Sequence, residues 1–410
     1  MTTYLRGLIL VSPEHGPSSQ PTDVTLEGGV LSAIGGAVRV GPEDQVIELD
    51  GRYATPGLVN AHDHLYSHEL RHPLPGWGLA QMRAWIDARD EISTLAVMLR
   101  TALDSLTKGI TTVRDLGARH GANTALDRML HDAGLIGPTI VPAGRPIVMT
   151  GGHVWGFGRE SDGPWSCRQA VREQVKAGAR VIKIMASGGL SHYPDEDFGL
   201  PQFTVEELRA IVDEAHAAGL PATAHAFGSD AVHRAVLAGI DCIEHGVEID
   251  DETLDLMVAQ GTSYVPTLAN MRRIASQEFS QNAGVPERAK ILMRNIVAPH
   301  RRTFQRALEA GVRIGVGTDS TGTYQEELEA MAEYGMDLPA MLTAAWATGA
   351  DICRQPSGRL QIGQRADLAL YDTLPQKPAD LIRPAMVCSG GRLVSTEEIR
   401  RLLGVEGVVS

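Results

Sequence analysis

Cysteine is scarce in this sequence, and the few cysteines follow no recognisable pattern. The 410 residues include four cysteines without a repeated spacing, which excludes both a disulfide framework and a CxxC site. They are Cys167, Cys242, Cys353 and Cys388. We therefore expect the chain to occupy a reducing compartment.

The sequence also lacks membrane segments and an excess of positive charge. No apolar run is long enough to cross a bilayer, and residues 1–12 lack the charged start and apolar core of a signal peptide. Lysines and arginines number 37 against 50 aspartates and glutamates, a net charge of −13. This balance disfavours nucleic acid and anionic membranes as partners. We predict a cytoplasmic protein, a homo-oligomer, that acts on a small molecule.

Short β-strands are predicted at both ends of the chain. Val, Ile and Leu-rich segments are separated there by Gly, Pro and Asp, as is typical of strands and turns. The segments are 4–11, 24–27, 30–34, 45–49, 367–371 and 386–388. We predict that residues 1–54 and 360–410 together form a composite β-sandwich domain.

Strands and helices alternate in the intervening residues 55–359. Eight apolar strands are predicted, at 58–61, 111–115, 139–143, 181–185, 222–225, 242–245, 263–267 and 314–319. Amphipathic helices are predicted at 91–108, 205–218 and 229–238. Length alone does not separate a closed barrel from an open doubly wound sheet. The placement of polar residues favours an α/β fold with a TIM-like (β/α)8 barrel.

The stretch TPGLVNAHDHL at 55–65 carries the first chemical signal. A short apolar strand ends in His62, Asp63 and His64. Successive side chains of a strand point to opposite faces, so His62 and His64 project to the same side and Asp63 turns away. Two imidazoles so arranged can bind one metal ion. Two surface histidines in a loop are the alternative.

Other predicted strands end on residues that can also bind metal. They are Lys183, His225, His245 and Asp319. Active sites of parallel barrels lie at the C-terminal ends of the strands, so these side chains would meet at one mouth. Taken singly, either later histidine could be a hydrogen-bonded core residue, and the aspartate could cap a helix. Six such residues at strand ends favour one shared metal centre.

These motifs, GLVNAHDHL, VIKIMASGG, ATAHAFG, CIEHG and VGTDS, resemble those of the amidohydrolase superfamily. The similarity is strongest to its binuclear Xaa-Pro dipeptidases and imidazolonepropionase-like hydrolases. The resemblance implies that His62, His64 and Asp319 hold one metal and that a carbamylated Lys183 bridges both. It assigns His225 and His245 to the second metal.

The lysine favours the binuclear subtype on physical grounds. An ammonium among divalent cations is repelled and offers no lone pair, whereas a lysine beside cations has a lowered pKa. The neutral amine of Lys183 can add carbon dioxide and become an anionic carbamate with one oxygen for each metal. Mononuclear deaminases of the superfamily lack this residue. Four imidazoles favour zinc, with manganese or cobalt as alternatives.

The predicted reaction is hydrolysis. Two metals about 3.5–4 Å apart would lower the pKa of a shared water and polarise a scissile carbonyl. We predict that the bridging hydroxide attacks a peptide-like, N-acyl amino acid or cyclic amide and that Asp319 passes the proton to the leaving group. Ester, lactone, carbamate or phosphotriester cleavage is the alternative on the same centre. An inactive scaffold of dihydropyrimidinase-related type is disfavoured because all six ligand positions are filled.

The substrate contacts are less well defined by the sequence. Dipeptidases of the resembled branch often carry a tyrosine where this chain has Phe227, which puts ordinary dipeptidase activity in doubt. We predict that His153 polarises the carbonyl instead, with His192 and Tyr193 as the alternatives. Gly151 and Gly152 allow a close approach of His153, although they suit a tight loop equally well. Further pocket candidates are His192, Tyr193, Arg114, Asp115, His68, His72 and Trp77.

Overall fold

The computed structural model describes residues 2–13, 15–36, 40–71, 79–189, 197–276 and 287–404. Its strands are β1 Thr3–Ser12, β2 Gly16–Pro17, β3 Thr22–Glu27, β4 Val30–Ile34, β5 Gln45–Glu48, β6 Tyr53–Pro56, β7 Leu58–Asp63, β8 Ile110–Asp115, β9 Thr139–Pro142, β10 Ile147–Val148, β11 Arg159–Glu160, β12 Ile182–Met185, β13 Ala222–Ala226, β14 Cys242–His245, β15 Ser263–Val265, β16 Leu368–Tyr371, β17 Met386–Ser389 and β18 Arg392–Ser395.

The helices lie mainly between the central strands. They are Leu79–Asp87, Glu91–Thr107, Ala122–Asp132, Pro164–Ala177, Val205–Ala217, Ser229–Leu237, Asp251–Gln260, Leu268–Ala275, Glu287–Asn295, Val297–Ala310, Tyr324–Glu333, Leu338–Thr343, Gly349–Ile352, Pro378–Leu381 and Thr396–Leu402. Short 3-10 segments cover Leu65–Arg71 and Arg119–Gly121, and a π-helical segment covers Ala344–Thr348. Within the described ranges, no helix has the length and apolar composition needed to cross a bilayer.

Both ends of the chain contribute to one sheet. Its order is β18-β17-β16-β6-β1-β3-β4, with β2 and β5 also paired to β1. The two ends meet at β6, which pairs with β1 through Tyr53 and Ile9 and with β16 through Thr55 and Ala369. An apolar cluster that packs on this sheet includes Leu5, Leu8, Leu31, Leu368 and Cys388. The predicted terminal strands are confirmed, whereas β2, β6 and β18 were not predicted.

The central strands form two parallel sheets, which confirms the α/β class. One has the order β7-β8-β9, and the other has the order β11-β10-β12-β13-β14-β15. Helices connect most successive strands, as is usual for parallel pairing, whereas the described segments from β9 to β10 and from β10 to β11 contain no helix. The predicted helix after β12 begins at a capping box in which Thr204 and Glu207 bond each other's backbone N–H groups. The predicted strands from 58 to 267 and the three predicted helices are found with bounds that differ by at most two residues.

The predicted eighth strand at 314–319 is not a regular strand. Ile314 makes a single parallel bridge to Tyr264, and Ala61 donates its N–H to the Val316 carbonyl at 2.8 Å. The N–H groups of Thr318 and Asp319 then both donate to the His62 carbonyl at 2.9 Å. Two successive donors on one carbonyl turn the backbone out of the extended ladder. The segment nevertheless lies between β15 and β7 and brings Asp319 to His62.

Candidate metal centre

The predicted metal-binding residues come together at the C-terminal ends of the central strands. His62 lies on β7, Lys183 on β12, His225 on β13 and His245 at the end of β14. His64 and Asp319 follow directly after strand segments. Five of the six line one pocket with an empty volume of about 800 Å³, namely His64, Lys183, His225, His245 and Asp319. His62 is fully buried beside them.

Side-chain distances within this group suit a shared cation. Asp319 Oδ1 lies 3.9 Å from His62 Nε2 and 3.7 Å from His64 Nε2. One potential ligand atom from each of His62, His245 and Asp319 lies within 4.8 Å of the other two. The His225 and His245 ring centroids are 4.7 Å apart. Thus both pairs of histidines lie in one compact site.

Each histidine uses one ring nitrogen for the protein and leaves the other for a ligand. His62 Nδ1 donates to Glu244 Oε2 at 2.7 Å, and His64 Nδ1 donates to the Gly117 carbonyl at 2.9 Å. His225 Nε2 donates to the Gly188 carbonyl at 3.0 Å, and His245 Nδ1 lies 2.8 Å from Thr267 Oγ1. Metal-binding histidines are usually oriented in this way by a hydrogen bond from the second nitrogen.

Two buried atoms in the group have no hydrogen-bond partner among the described residues. They are His62 Nε2 and Lys183 Nζ. Leaving a buried polar atom unpaired costs about 1–3 kcal/mol, so two in one site call for an explanation. A cation bound by the imidazole, and a modified lysine beside it, would satisfy both atoms. The residues present therefore fit a metal centre.

Protonation states support the same conclusion. Burial, with a further contribution from Lys183, lowers the pKa of His62 to about 4, so its ring is neutral at pH 7 and keeps a lone pair. Burial also holds the pKa of His225 and His245 well below the usual value. Burial lowers the pKa of Lys183 to about 8, although Glu244 and Asp319 favour its charged form. Neutral nitrogens are the form that binds metal.

Three residues at this end of the sheets have left-handed backbones without being glycine. They are His245 (φ 72°), Thr267 (φ 53°) and Asp319 (φ 54°). Such conformations cost about 1–3 kcal/mol each and persist where surrounding contacts enforce them. The His245 carbonyl accepts hydrogen bonds from the Tyr264 hydroxyl at 2.9 Å and from His300 Nε2 at 2.8 Å. These bonds fix the direction of the His245 ring.

A buried ion pair below the site was missed from the sequence. Glu244 is fully buried and binds His62 through one oxygen and Arg114 Nη2 through the other, at 2.6 Å. Arg114 Nε also donates to the Ala61 carbonyl at 2.5 Å. The prediction of Arg114 as a pocket residue is therefore wrong, because its guanidinium is committed inside the sheets. The sequence feature that could have indicated this ion pair is the glutamate within the predicted buried strand CIEHG.

Two other residues that were predicted near the pocket also make hydrogen bonds within the fold. Asp115 accepts hydrogen bonds from Leu65 N at 3.0 Å and Asn123 Nδ2 at 2.9 Å. His68 Nε2 donates to Asp63 at 2.7 Å, so the Asp63 carboxylate points away from the metal-binding residues, as predicted. His68 is not among the described residues that line the pocket. His72, Trp77, His192 and Tyr193 lie outside the described residues.

His153 and Phe227 do line the pocket. The His153 ring stacks on His225 with centroids 4.6 Å apart and an angle of 23°. A Cβ on Gly189 would lie 2.1 Å from this ring, so the close approach of the ring to the backbone depends on Gly189. Phe227 stacks on His245 at 5.0 Å with an angle of 11°. Sequence reasoning missed Asn270, which donates to Asp319 Oδ2 at 2.6 Å.

Comparison with known proteins identifies the family. Residues 53–394 match the amidohydrolase family. An ochratoxinase of Aspergillus niger is 29% identical over 351 residues, which cover 78% of this chain and 70% of that protein. An uncharacterised protein of Mycobacterium tuberculosis is 31% identical over 357 residues, 84% of this chain and 86% of that protein.

A solved structure agrees with these relatives. A prolidase in complex with N-methylphosphonate-L-proline superposes with a TM-score of 0.84 at 28% identity, covering 96% of this chain and 100% of that chain. Together with the family match and the convergent metal-binding side chains, this likeness makes the chain a member of the metal-dependent amidohydrolase family, a hydrolase that acts on carbon–nitrogen bonds.

Proposed function

We propose that this chain is a binuclear hydrolase that cleaves an amide bond in a small molecule. The observation that carries the proposal is the pair of buried, unpaired atoms, His62 Nε2 and Lys183 Nζ, within six metal-competent side chains. Similarity to a prolidase and an ochratoxinase supports amides over esters, lactones, carbamates or phosphotriesters. Six retained metal-binding positions argue against an inactive scaffold.

The six side chains divide into two sets. His62, His64 and Asp319 would hold the first ion, His225 and His245 would hold the second, and Lys183 as its carbamate would contribute to both. Zinc suits four imidazoles and carboxylate-type oxygens best. Two such ions supply Lewis acidity toward the substrate carbonyl and increase the acidity of a water molecule.

Lys183 gains its bridging form by reaction with carbon dioxide. A bond forms between neutral Nζ and the carbon, and the nitrogen releases one proton, which leaves an anionic carbamate with two oxygens. The lowered pKa of Lys183, to about 8 because of burial, increases the neutral fraction at pH 7. The reaction also removes the cost of an unpaired ammonium among imidazoles.

Asp319 transfers the proton. Burial opposes its charge, but His62, His64 and Lys183 outweigh this effect and keep its pKa below the ordinary value, so the carboxylate can accept a proton at pH 7. Asn270 holds Oδ2 at 2.6 Å while Oδ1 faces His62 and His64. The carboxylate accepts the proton of the attacking water and delivers it to the leaving nitrogen.

His153 polarises the substrate carbonyl, the role that a tyrosine at the position of Phe227 has in related dipeptidases. We expect His153→Ala to lower kcat on the order of a hundredfold, because loss of one oxyanion donor commonly has that effect. Metal content, measured on the same samples, should be unchanged. A matched His233→Ala variant, on an outer helix where His233 bonds Thr253 at 2.9 Å, should keep its kcat. Near-normal kcat in His153→Ala would contradict this role.

The proposal also covers the domain organisation of the chain. The two parallel sheets and the segment 314–319 form one closed (β/α)8 barrel of residues 55–359. Hydrogen bonds that support closure join Tyr264 to Arg313, Ala61 to Val316, and Arg180 to Pro142, each at 2.8 Å. Residues 1–54 and 360–410 form a composite β-sandwich domain, with Thr55 and Pro56 continuing its sheet.

Metal analysis tests the binuclear centre. We expect close to two divalent ions per chain after loading with zinc and bicarbonate, because six ligands exceed what one tetrahedral ion uses. A stoichiometry of one that does not change on loading would contradict the proposal. Hydrolysis of matched amide, ester and lactone substrates by the loaded enzyme tests the bond type, and an ester-only activity would favour the alternative.

A further inference from the structure

We infer that the pocket selects a substrate whose group beside the scissile amide is apolar and uncharged. The inference rests on the proposed amide hydrolysis and adds the class of substrate. It is drawn from the apolar wall of the pocket, which adjoins the metal-binding residues.

That wall is continuous and apolar. Phe227, which directly follows β13, lines the pocket together with Met271 and Ile274 of the helix Leu268–Ala275 and Met293 of the helix Glu287–Asn295. Phe227 and Met271 are buried in one apolar cluster, against which Ile274 packs. The lining also includes Leu70, Val154 and Phe157. Methionines adapt to ligands of different shape, so this wall suits an alkyl or aryl group.

Among the described lining residues, the side chains that carry charge or bind cations belong to the metal centre, with His153 next to it. No arginine is among them. A carboxylate placed against the apolar wall would lose its hydration without gaining a counter-charge, which is strongly unfavourable. Amino acids and dipeptides with a free carboxylate are therefore poor ligands for this wall.

The basic residues of the helix Leu268–Ala275 point elsewhere. Arg272 pairs with Glu333 at 2.8 Å. Arg273 donates to the Arg71 carbonyl and lies 3.6 Å from Glu326. On the helix Glu287–Asn295, Lys290 and Arg294 both pair with Glu287. These helices thus present Met271, Ile274 and Met293 to the pocket while their described cations are paired outside it.

The sequence of three stretches outside the described residues agrees with this assignment. Residues 72–78, 190–196 and 277–286 contain no lysine or arginine, and the last two contain acidic residues. Consequently none of these stretches can supply a cation of this type for a substrate carboxylate.

Equilibrium binding to the full, metal-loaded chain tests the inference without requiring turnover. The ligands are octanamide, the monoamide of suberic acid and 8-(trimethylammonio)octanamide, which differ only at the chain end. By calorimetry, we expect octanamide to bind about tenfold or more tightly than either charged ligand, because both charges lose hydration against the wall. One charged ligand is an anion and the other is a cation. The comparison therefore separates selection by the apolar wall from two effects of the metal ions, namely attraction of the carboxylate and repulsion of the cation.

A substitution in the wall provides the complementary test. Ile274→Arg should tighten binding of the suberic monoamide relative to octanamide, whereas Ile362→Arg, at a site 66% exposed and outside the pocket lining, should leave the order unchanged. Equal affinities of the three ligands, or no measurable binding of any, would overturn the inference. If octanamide binds but octanoyl 4-nitroanilide is not hydrolysed, the result contradicts the proposed amide hydrolysis and not the inference about the apolar wall.

Discussion

Replacing Lys183 by alanine is expected to reduce kcat/KM by more than about a hundredfold. Groups that only orient a metal ligand cost about 10–100-fold when removed, and Lys183 would be a ligand to both ions. Its side chain is 1% exposed, so the substitution opens a buried space at the site. Acetate or propionate can enter that space and provide two oxygens in place of the carbamate. We therefore expect either carboxylate to restore part of the activity in a steady-state assay.

The uncharged analogue of acetate provides the control. Acetamide has nearly the same shape but no negative charge, so it should not restore activity to Lys183→Ala. Lys108→Ala, which removes an ion pair with Asp104 that is more than one-third exposed, should retain the normal rate. Full activity of Lys183→Ala, or equal rescue by acetamide and acetate, would show that Lys183 is not a bridging ligand.

Replacing Arg114 by methionine should lower the free energy of unfolding by about 3–5 kcal/mol, since it leaves a buried charge without its partner. Burial alone would raise the pKa of Glu244, but the charge of Arg114 and the hydrogen bond from His62 outweigh it and hold that pKa below the usual value. Glu244 also orients His62, so metal affinity should fall about 10–100-fold. Urea unfolding and zinc titration against a chelator measure the two effects.

The pH dependence of this effect has a definite sign. A depressed pKa contributes stability above the unfolded pKa and loses it as the pH falls, so the wild-type protein loses this contribution below about pH 4. Without Arg114, Glu244 protonates more readily. The difference in the free energy of unfolding between Arg114→Met and the wild-type protein should therefore become smaller as the pH falls from 7 toward 4. The double variant Arg114→Met, Glu244→Gln should be more stable than Arg114→Met alone. If the two variants are equally unstable, the loss of stability in Arg114→Met is due to packing and not to the unpaired charge of Glu244.

The convergence of the six candidate metal-binding residues could be predicted from the sequence because one rule links their positions. Parallel strands place their C-terminal ends at one edge, so residues such as Lys183 and His245 meet whatever the details of packing. Arg114 could not be assigned in this way. The pairing of β7 with β8 shifts register twice, between Leu58 and Val59 and between Asn60 and Asp63, and each shift changes the direction in which a side chain points.

The pocket walls were harder to predict for another reason. Met271 and Asn270 lie on a helix that follows β15, and their approach to Asp319 depends on the left-handed backbone at Thr267. Glu327 then fixes the start of that helix by accepting hydrogen bonds from Leu268 N at 2.9 Å and Ala269 N at 2.6 Å. These contacts join segments roughly 50 residues apart, and no local sequence pattern encodes them.

The pairing of β6 with β16 also has a consequence for how the protein is made. Thr55 pairs with Ala369, roughly 310 residues later, so during synthesis at about 5–20 residues per second the edge of β6 waits about 15–60 s for its partner. An unpaired strand edge is an aggregation site during that interval. Production of this enzyme should therefore depend on chaperone supply and culture temperature more than the stability of the finished fold suggests.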